Sequence, residues 1–399
     1  GMLLVNLPLT GLTQEGGLFY YLSFGVNTSI YPCLIFLGIG AMTDFGPLLA
    51  NPSCLLLGAA SQLGVYVTFI VACFAGFTPQ EAAAIGIIGG ADGPVTIYLT
   101  ATLANHLLPM IAVAAYSYMA LVPLIQPPLI HLLTTKKERS IEMHQLRVVT
   151  RKEKIIFPIV VILFTCLLFP SIAPLLGMFM LGNLLRESGV TNRLSDTAQN
   201  SMMNMFTLLL GISIGSRTAG NEFLQIDTLI ILGLGLLAFC ISTIGGLLFG
   251  KLMCVITKGK INPLIGSAGV AAVPMAARIS QVEGRKVNPS NFLLMHAMGP
   301  NVAGVIGTAV LALLLRQDFC FQSLAFFRKE IIARPSNRNK FHSDVIIHVS
   351  FMVHRILSPF WVWIAGAKSK SLTFYKMIFR LQVTVPLLPF IHLVIKITV

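Results

Sequence analysis

Asp92 stands in the run Gly89-Gly90-Ala91-Asp92-Gly93-Pro94 and is the sole charged residue between Ala82 and Ala104. An ionisable side chain near the middle of a bilayer costs about 2.5–3.5 kcal/mol on insertion scales, so something must compensate it. A cation does so: a carboxylate beside the free carbonyls of interrupted backbone is a hard-oxygen site, suited to Na+ or H+ rather than a soft metal. The other reading is an aspartate that caps the helix after a D-G-P turn, and one residue can fill both roles. Asp44, in Thr43-Asp44-Phe45-Gly46-Pro47, reads equally as a second buried acid or as a cap at a membrane surface.

Tyr116 and Tyr118 lie in the apolar stretch Ala114-Ala115-Tyr116-Ser117-Tyr118-Met119. A buried hydroxyl wants a partner, so each is open to ion or proton handling as well as to plain packing. In the second half Ala272 occupies the position equivalent to Asp92, and the polar candidates are Asn262-Pro263, Ser267, Arg278 and the run His296-Ala297-Met298-Gly299-Pro300-Asn301. Arg278 suits recognition of a carboxylate; the alternative is an arginine that snorkels to the membrane surface. The signatures of common soluble enzymes are missing: there is no P-loop, no H-E-x-x-H, no G-x-S-x-G and no dinucleotide fingerprint.

The elements that must carry these residues are membrane helices. Of the 399 residues 55% are hydrophobic and 11% charged, whereas a soluble domain carries about 25% charged residues. At about 20 apolar residues per pass there is room for roughly nine or ten passes. Candidate spans cover 17–39, 53–76, 107–133, 155–175, 199–215, 227–250 and 290–315, with Gly- and Pro-interrupted pieces at 82–99, 172–185 and 262–278. Broken helices are tolerated at membrane depth where they line a cavity or are buried in protein. The net charge of +13 sits in loops between apolar runs, so nucleic acid is not the expected partner. The seven cysteines show no C-x-x-C spacing and are read as reduced packing residues.

Two of the broken pieces match. Ile85-Gly86-x-x-Gly89-x-Ala91-x-x-Pro94 recurs 180 residues later as Ile265-Gly266-x-x-Gly269-x-Ala271-x-x-Pro274, and each is followed by a polar stretch and an apolar helix. Paired interruptions in two halves are the best sequence pointer to a transporter binding site. The expected fold is therefore an all-α polytopic membrane protein. It has two pseudo-symmetric, inverted repeats with discontinuous helices and an elevator-like transporter architecture.

The expected division is a first repeat over 1–135, with its N-terminal helix incomplete, a basic cytoplasmic loop over 136–154, a second repeat over 155–316 and an atypical tail over 317–399. That tail holds 11 of the 28 Lys and Arg but only 3 of the 15 acids, and shows no trace of the repeat. It reads as a peripheral element or, preferably, as sequence foreign to the ancestral gene.

The stretches Gly38–Pro52, Ile85–Tyr98, Ala112–Pro128, Ile261–Arg278 and Asn291–Gly307 resemble the membrane β subunit of the biotin-dependent, sodium-pumping decarboxylases. That family acts on oxaloacetate, methylmalonyl-CoA or glutaconyl-CoA. The resemblance covers roughly residues 1–315. It implies an enzyme subunit in the cytoplasmic membrane that decarboxylates carboxybiotin, consumes a proton and exports Na+. Its cofactors are then Na+ and a carboxybiotin presented by a carrier and not attached to this chain. Its partners are a carboxyltransferase α subunit, a biotin carrier protein, a small membrane γ/δ subunit and the bilayer; homo-oligomer formation is left open.

Carried over residue by residue, the resemblance makes Asp92 the intramembrane Na+ ligand, Tyr118 the tyrosine of ion or proton handling, and Arg278 the partner of the carboxybiotin carboxylate. Asp92, Tyr118 and Arg278 form the expected catalytic set. Asp92, Asn262, Gly266, Ser267 and Asn301 form the expected sodium-binding set, with Na+ at Asp92 and Asn262. Where the family often has a serine this chain has Ala271, a loss that bears on coupling and for which Ser267 or water substitutes. The readings that compete are a secondary cation-coupled carboxylate transporter or cation/proton exchanger, and a truncated inactive subunit.

Overall fold

The computed structural model describes Val5 and residues 12–168, 170–217 and 226–316. The chain divides into the units Gly1–Phe321 and Gln322–Val399. The expected atypical tail over 317–399 and most of the segment expected to hold an incomplete first helix lie outside the described residues.

The described residues are helical, with no strand among them. The first elements are α1 (Leu18–Asn27), α2 (Ile30–Met42) and α3 (Gly46–Ala50). The apolar stretch expected to be one span over 17–39 is the pair α1 and α2, bent by 61° at Ser29, whose left-handed backbone (φ 60°) interrupts the helix. Next come α4 (Cys54–Ser61) and α5 (Leu63–Phe74), which together form one stretch long enough to cross a bilayer. Then α6 (Pro79–Gly86) starts at a reciprocal Thr78–Glu81 capping box. After a 3-10 turn over Ile87–Gly90, the chain resumes as α7 (Gly93–Leu103) and returns along α8 (Leu108–Leu133) into the short α9 (Lys136–Arg139).

The second half runs through α10 (Arg151–Leu168), α11 (Ala173–Ser188), α12 (Asn192–Thr197), α13 (Met203–Gly215) and α14 (Ile226–Ile256). It ends with α15 (Leu264–Ser267), the non-helical residues 268–274, α16 (Met275–Val287) and α17 (Leu294–Arg316). Four stretches are long and apolar enough to cross a membrane (Cys54–Phe74, Asn105–Leu133, Ile226–Ile256 and Leu294–Arg316), and the bent pair α1–α2 makes a fifth. This is a polytopic membrane protein, though fewer stretches qualify than the composition has room for. The first turn of α10 carries Arg151, Lys152, Glu153 and Lys154. α13 continues α12 through a π-helical turn over Ala198–Met202, a run that includes Arg193, Asp196, Gln199, Asn200 and Asn204, so neither is apolar over the length of a span.

Of residues 172–185, expected to be interrupted, all but the N-cap Ile172 belong instead to the continuous helix α11. Pro174 lies in its first turn, where the missing N–H costs nothing. Gly182 sits against α2: a Cβ there would stand 1.9 Å from the Leu37 carbonyl oxygen.

Because lipid gives helices no hydrophobic reason to associate, small residues that let backbones touch hold the core together. Gly266 lies against Gly246, where a Cβ would be 2.1 Å from the carbonyl oxygen, and Gly304 lies against Gly269 at the same spacing. α14 carries Gly245, Gly246 and Gly250 against α4 and α15. Around them pack Leu57, Phe239, Leu247, Leu264, Ile265 and Val270, all within 1% exposure.

Candidate ion site at the meeting of two broken helices

The two interrupted segments meet. Ala271 N–H donates to the Gly90 carbonyl at 2.9 Å, bringing the break before α7 against the break before α16. From there the two helices run in opposite directions. α7 leads to the turn before α8, at the end of that helix remote from the basic loop. α16 ends against the basic loop, where the Asn288 amide donates to Ser140 O at 3.4 Å and Glu142 Oε1 at 2.7 Å.

At the first break Ala91 adopts a left-handed conformation (φ 56°), which turns the chain and leaves Asp92 as the N-cap of α7. Its Oδ1 accepts from Val95 N–H at 3.1 Å, and its main-chain carbonyl accepts from Thr96 Oγ1 at 2.7 Å. The side chain is 5% exposed, and among the described residues no lysine, arginine or histidine pairs with it. The capping role foreseen for Asp92 thus uses one carboxylate oxygen and leaves the other for a ligand. Tyr116 lies over the adjoining Gly93, where a Cβ would meet its Cε1 at 2.9 Å and its Oη at 3.1 Å. Tyr118 turns toward α14: its hydroxyl donates to the Leu232 carbonyl and its ring covers Gly235. Of the two tyrosines it is therefore Tyr116 that borders the Asp92 turn.

The second break is held by buried amides. Asn301 donates from Nδ2 to Ala268 O at 3.0 Å and Val270 O at 2.7 Å, and its Oδ1 is buried with no partner. Gln126 donates to Ser267 O at 2.8 Å and likewise leaves its Oε1 buried and unpaired. Gln62, at the junction of α4 and α5, donates to Gly304 O at 3.2 Å and to Thr308 Oγ1 at 3.1 Å, and Thr308 abuts Gly90. Gln62, Gln126 and Thr308 were not among the residues singled out from sequence. Lone amides inside apolar spans were the available signal for the two glutamines.

The remaining candidates lie nearer the basic loop. Asn262 is fully buried; its amide donates to Arg139 O at 3.1 Å and Ile141 O at 2.8 Å, and its Oδ1 accepts from Leu264 N–H. Asn291 reaches the same two carbonyls, so both asparagines anchor that loop. Gly266 provides the close approach to Gly246. Ser267 Oγ donates to Leu264 O at 2.8 Å and lies 2.9 Å from Ser280 Oγ. Arg278 is exposed on α16 with no acidic partner among the described residues. The structure thus gathers Asp92, Tyr116, Ala271 and Asn301 around the junction, while Asn262 bonds to the 139–141 turn and Tyr118 to α14.

Asp44 takes the surface role. Its Oδ1 accepts from Gly46 N–H and from Lys154 Nζ, each at 2.8 Å. Burial pushes this carboxyl up, but the Lys154 and Gly46 hydrogen bonds outweigh that and hold it below the ordinary carboxylate value. The same turn is held by Asn183, which donates to Thr43 O at 2.7 Å, and by Arg186, which donates to Met42 O at 2.8 Å.

The donors around Asp92 are carboxylate, amide and main-chain oxygens, a set that fits a hard monovalent cation. Among the described residues no group of three or more His, Cys, Asp or Glu comes together.

Residues 1–318 match the family described as the Na+-transporting oxaloacetate decarboxylase beta subunit. The chain is 64% identical over 312 residues to the methylmalonyl-CoA decarboxylase subunit beta of Veillonella parvula, covering 78% of this chain and 83% of that one. It is 59% identical over 312 residues to the glutaconyl-CoA decarboxylase subunit beta of Acidaminococcus fermentans, with the same shares of both chains. It is 60% identical over 305 residues to the oxaloacetate decarboxylase beta chain of Klebsiella pneumoniae, covering 75% of this chain and 70% of that one. By the extent of these matches, the chain belongs to the family of Na+-transporting decarboxylase beta subunits.

Proposed function

We propose that this chain is the membrane subunit that decarboxylates carboxybiotin on a carrier protein and couples that step to Na+ export across the cytoplasmic membrane. The observation that carries the reading is the state of Asp92: a buried carboxylate at the meeting of two broken helices, with no basic partner among the described residues and one oxygen uncommitted. Burying an unpaired charge is costly, and a bound cation removes the cost. Na+ is the cargo, held by Asp92 with Asn301 Oδ1 and main-chain carbonyls of the break as neighbouring donors. Asn262, Gly266 and Ser267 shape the second broken segment, and water fills the place of the hydroxyl that Ala271 lacks.

The basic loop over 136–154 lies on the cytoplasmic side by the rule that short basic loops are retained there. Arg278, on the helix that ends against this loop, then faces the side from which a carboxylated carrier arrives. Its guanidinium pairs with the N-carboxylate of biotin. In the reaction the N–C bond breaks, CO2 leaves, and the ring nitrogen takes up one proton. Tyr116, beside the Asp92 turn, handles the proton, while Tyr118, bonded to the Leu232 carbonyl, holds α8 against α14. A proton on Asp92 cancels the charge that holds Na+, so protonation and ion release are linked.

The opposite directions of α7 and α16, and the 180-residue offset of their breaks, support two inverted repeats. Movement of a core unit carrying the breaks against the remaining helices would alternate the exposure of the site, as in an elevator. The partners are a carboxyltransferase α subunit, a biotin carrier protein and a small membrane γ/δ subunit.

The test is carboxybiotin decarboxylation by the reconstituted complex as Na+ is varied. Wild type shows saturable Na+ activation. Asp92→Asn, which keeps the size and loses the charge, abolishes it. Na+ activation that survives in Asp92→Asn contradicts the assignment.

A further inference from the structure

The two long faces of α16 differ in kind. Ala276, Ala277, Ser280, Glu283 and Gly284 point inward and are buried. Met275, Arg278, Val282, Arg285 and Lys286 point outward and are exposed. At 100° per residue the outward five fall on one stripe of the helix. The one acid of the helix, Glu283, is 2% exposed and bound from below by His131 at 2.8 Å. Of the outward cations only Lys286 reaches it, at 2.6 Å. Arg285 instead stacks over Phe292, which is 70% exposed. The outer face of α16 is thus basic and apolar, with no outward-facing acid of its own.

Hydrocarbon cannot cover such a face, because lipid-facing arginines are too costly at membrane depth. The stripe also has direction. Its cations begin with Arg278, one turn from the break, and end with Arg285 and Lys286 next to the basic loop, about 12 Å further on at 1.5 Å per residue.

We propose that the outer face of α16, with Phe292 at its edge, is the docking surface for the carrier domain, whose matching surface is acidic and apolar. This rests on the function proposed above and extends it to a partner surface. A carboxylate held at Arg278 has to be delivered on a tether from a domain seated toward Lys286. A positive face both speeds the arrival of an acidic domain and fixes its register.

The experiment compares two substrates on the reconstituted complex: carboxylated carrier protein and free carboxybiotin. The variants are Arg285→Glu and Val282→Asp, both on the exposed stripe and away from Arg278. The expected result is a rise in KM for the carboxylated carrier of about tenfold, steeper at low salt, with the rate on free carboxybiotin unchanged. Equal losses on both substrates, or an unchanged KM for the carrier, overturn the proposal. A KM effect seen only in vesicles of anionic phospholipid, and absent in neutral ones, assigns the face to lipid headgroups and also overturns it. Wild type inactive on both substrates sinks the decarboxylase reading itself, a failure distinct from a docking failure.

Discussion

Ala271 N–H donates to the carbonyl of Gly90 at 2.9 Å, a main-chain hydrogen bond between two segments 181 positions apart that both abandon helical geometry there. Free carbonyls and amides of broken helices are expensive in a membrane unless something satisfies them. Here each break helps to satisfy the other, and Asp92 and Asn301 border the same junction. The proposed ion site and the structural device that stabilises the breaks are one place, so changes there act on both.

Gly90 tests the tightness of that junction. A methyl group at this position meets Thr308 Cγ2 at 2.5 Å and Oγ1 at 2.8 Å. Gly90→Ala should lower stability by about 1–3 kcal/mol, the usual cost of overpacking. Adding Thr308→Ala leaves a Cβ contact of 3.2 Å, so the double variant should melt above Gly90→Ala alone in detergent. A double variant no better than the single one refutes the contact.

The two tyrosines should separate. Tyr118→Phe removes the bond to Leu232 O and should cost about 0.5–1.5 kcal/mol of stability, with the Na+ dependence of turnover retained. Tyr116→Phe removes a hydroxyl beside the Asp92 turn and should shift the Na+ concentration for half-maximal activity with little change in melting temperature. The opposite pattern would make Tyr118 the ion-handling residue and Tyr116 the packing residue.

Ala271 lies at the junction with its side chain 6% exposed. Ala271→Ser adds a hydroxyl within the set of donors around Asp92. It should lower the Na+ concentration needed for half-maximal decarboxylation by about threefold to tenfold, the effect of one added hydrogen-bond-strength ligand. An unchanged value would show that position 271 faces away from the ion.

The Asp44–Lys154 pair predicts a pH effect. The Asp44 carboxyl lies below its ordinary value in the folded protein, so its contribution to stability is present above the unfolded value and is lost as the pH falls through the folded one. The melting-temperature difference between wild type and Asp44→Asn should be constant above about pH 4 and shrink below it. A difference that grows on acidification would reverse the sign and exclude the pair as its source.

Much of this was legible in the residues. Asp92 announced itself as a lone charge in an apolar run, and the 180-residue offset marked both breaks. What was not legible depended on helix phase and on distant partners. Tyr116 and Tyr118 are two positions apart, hence about 200° apart around a helix, and in a wholly apolar run nothing says which of them faces the aspartate. Asn262 reads like an ion ligand, but its hydrogen bonds run to Arg139 O and Ile141 O, more than a hundred residues away. Residues 172–185 looked broken because Pro174 and two glycines counted against a helix. Position decides: the proline is in the first turn, and Gly182 faces α2.

The most direct test is Na+ accumulation in sealed vesicles containing this chain with the proposed carboxyltransferase, carrier and small membrane subunits. Decarboxylation is started with oxaloacetate or an acyl-CoA substrate, and Asp92→Asn is run in parallel. The account predicts uptake that follows decarboxylation, requires biotin and disappears in the variant. Na+ flux that proceeds without decarboxylation, or that persists in Asp92→Asn, contradicts it.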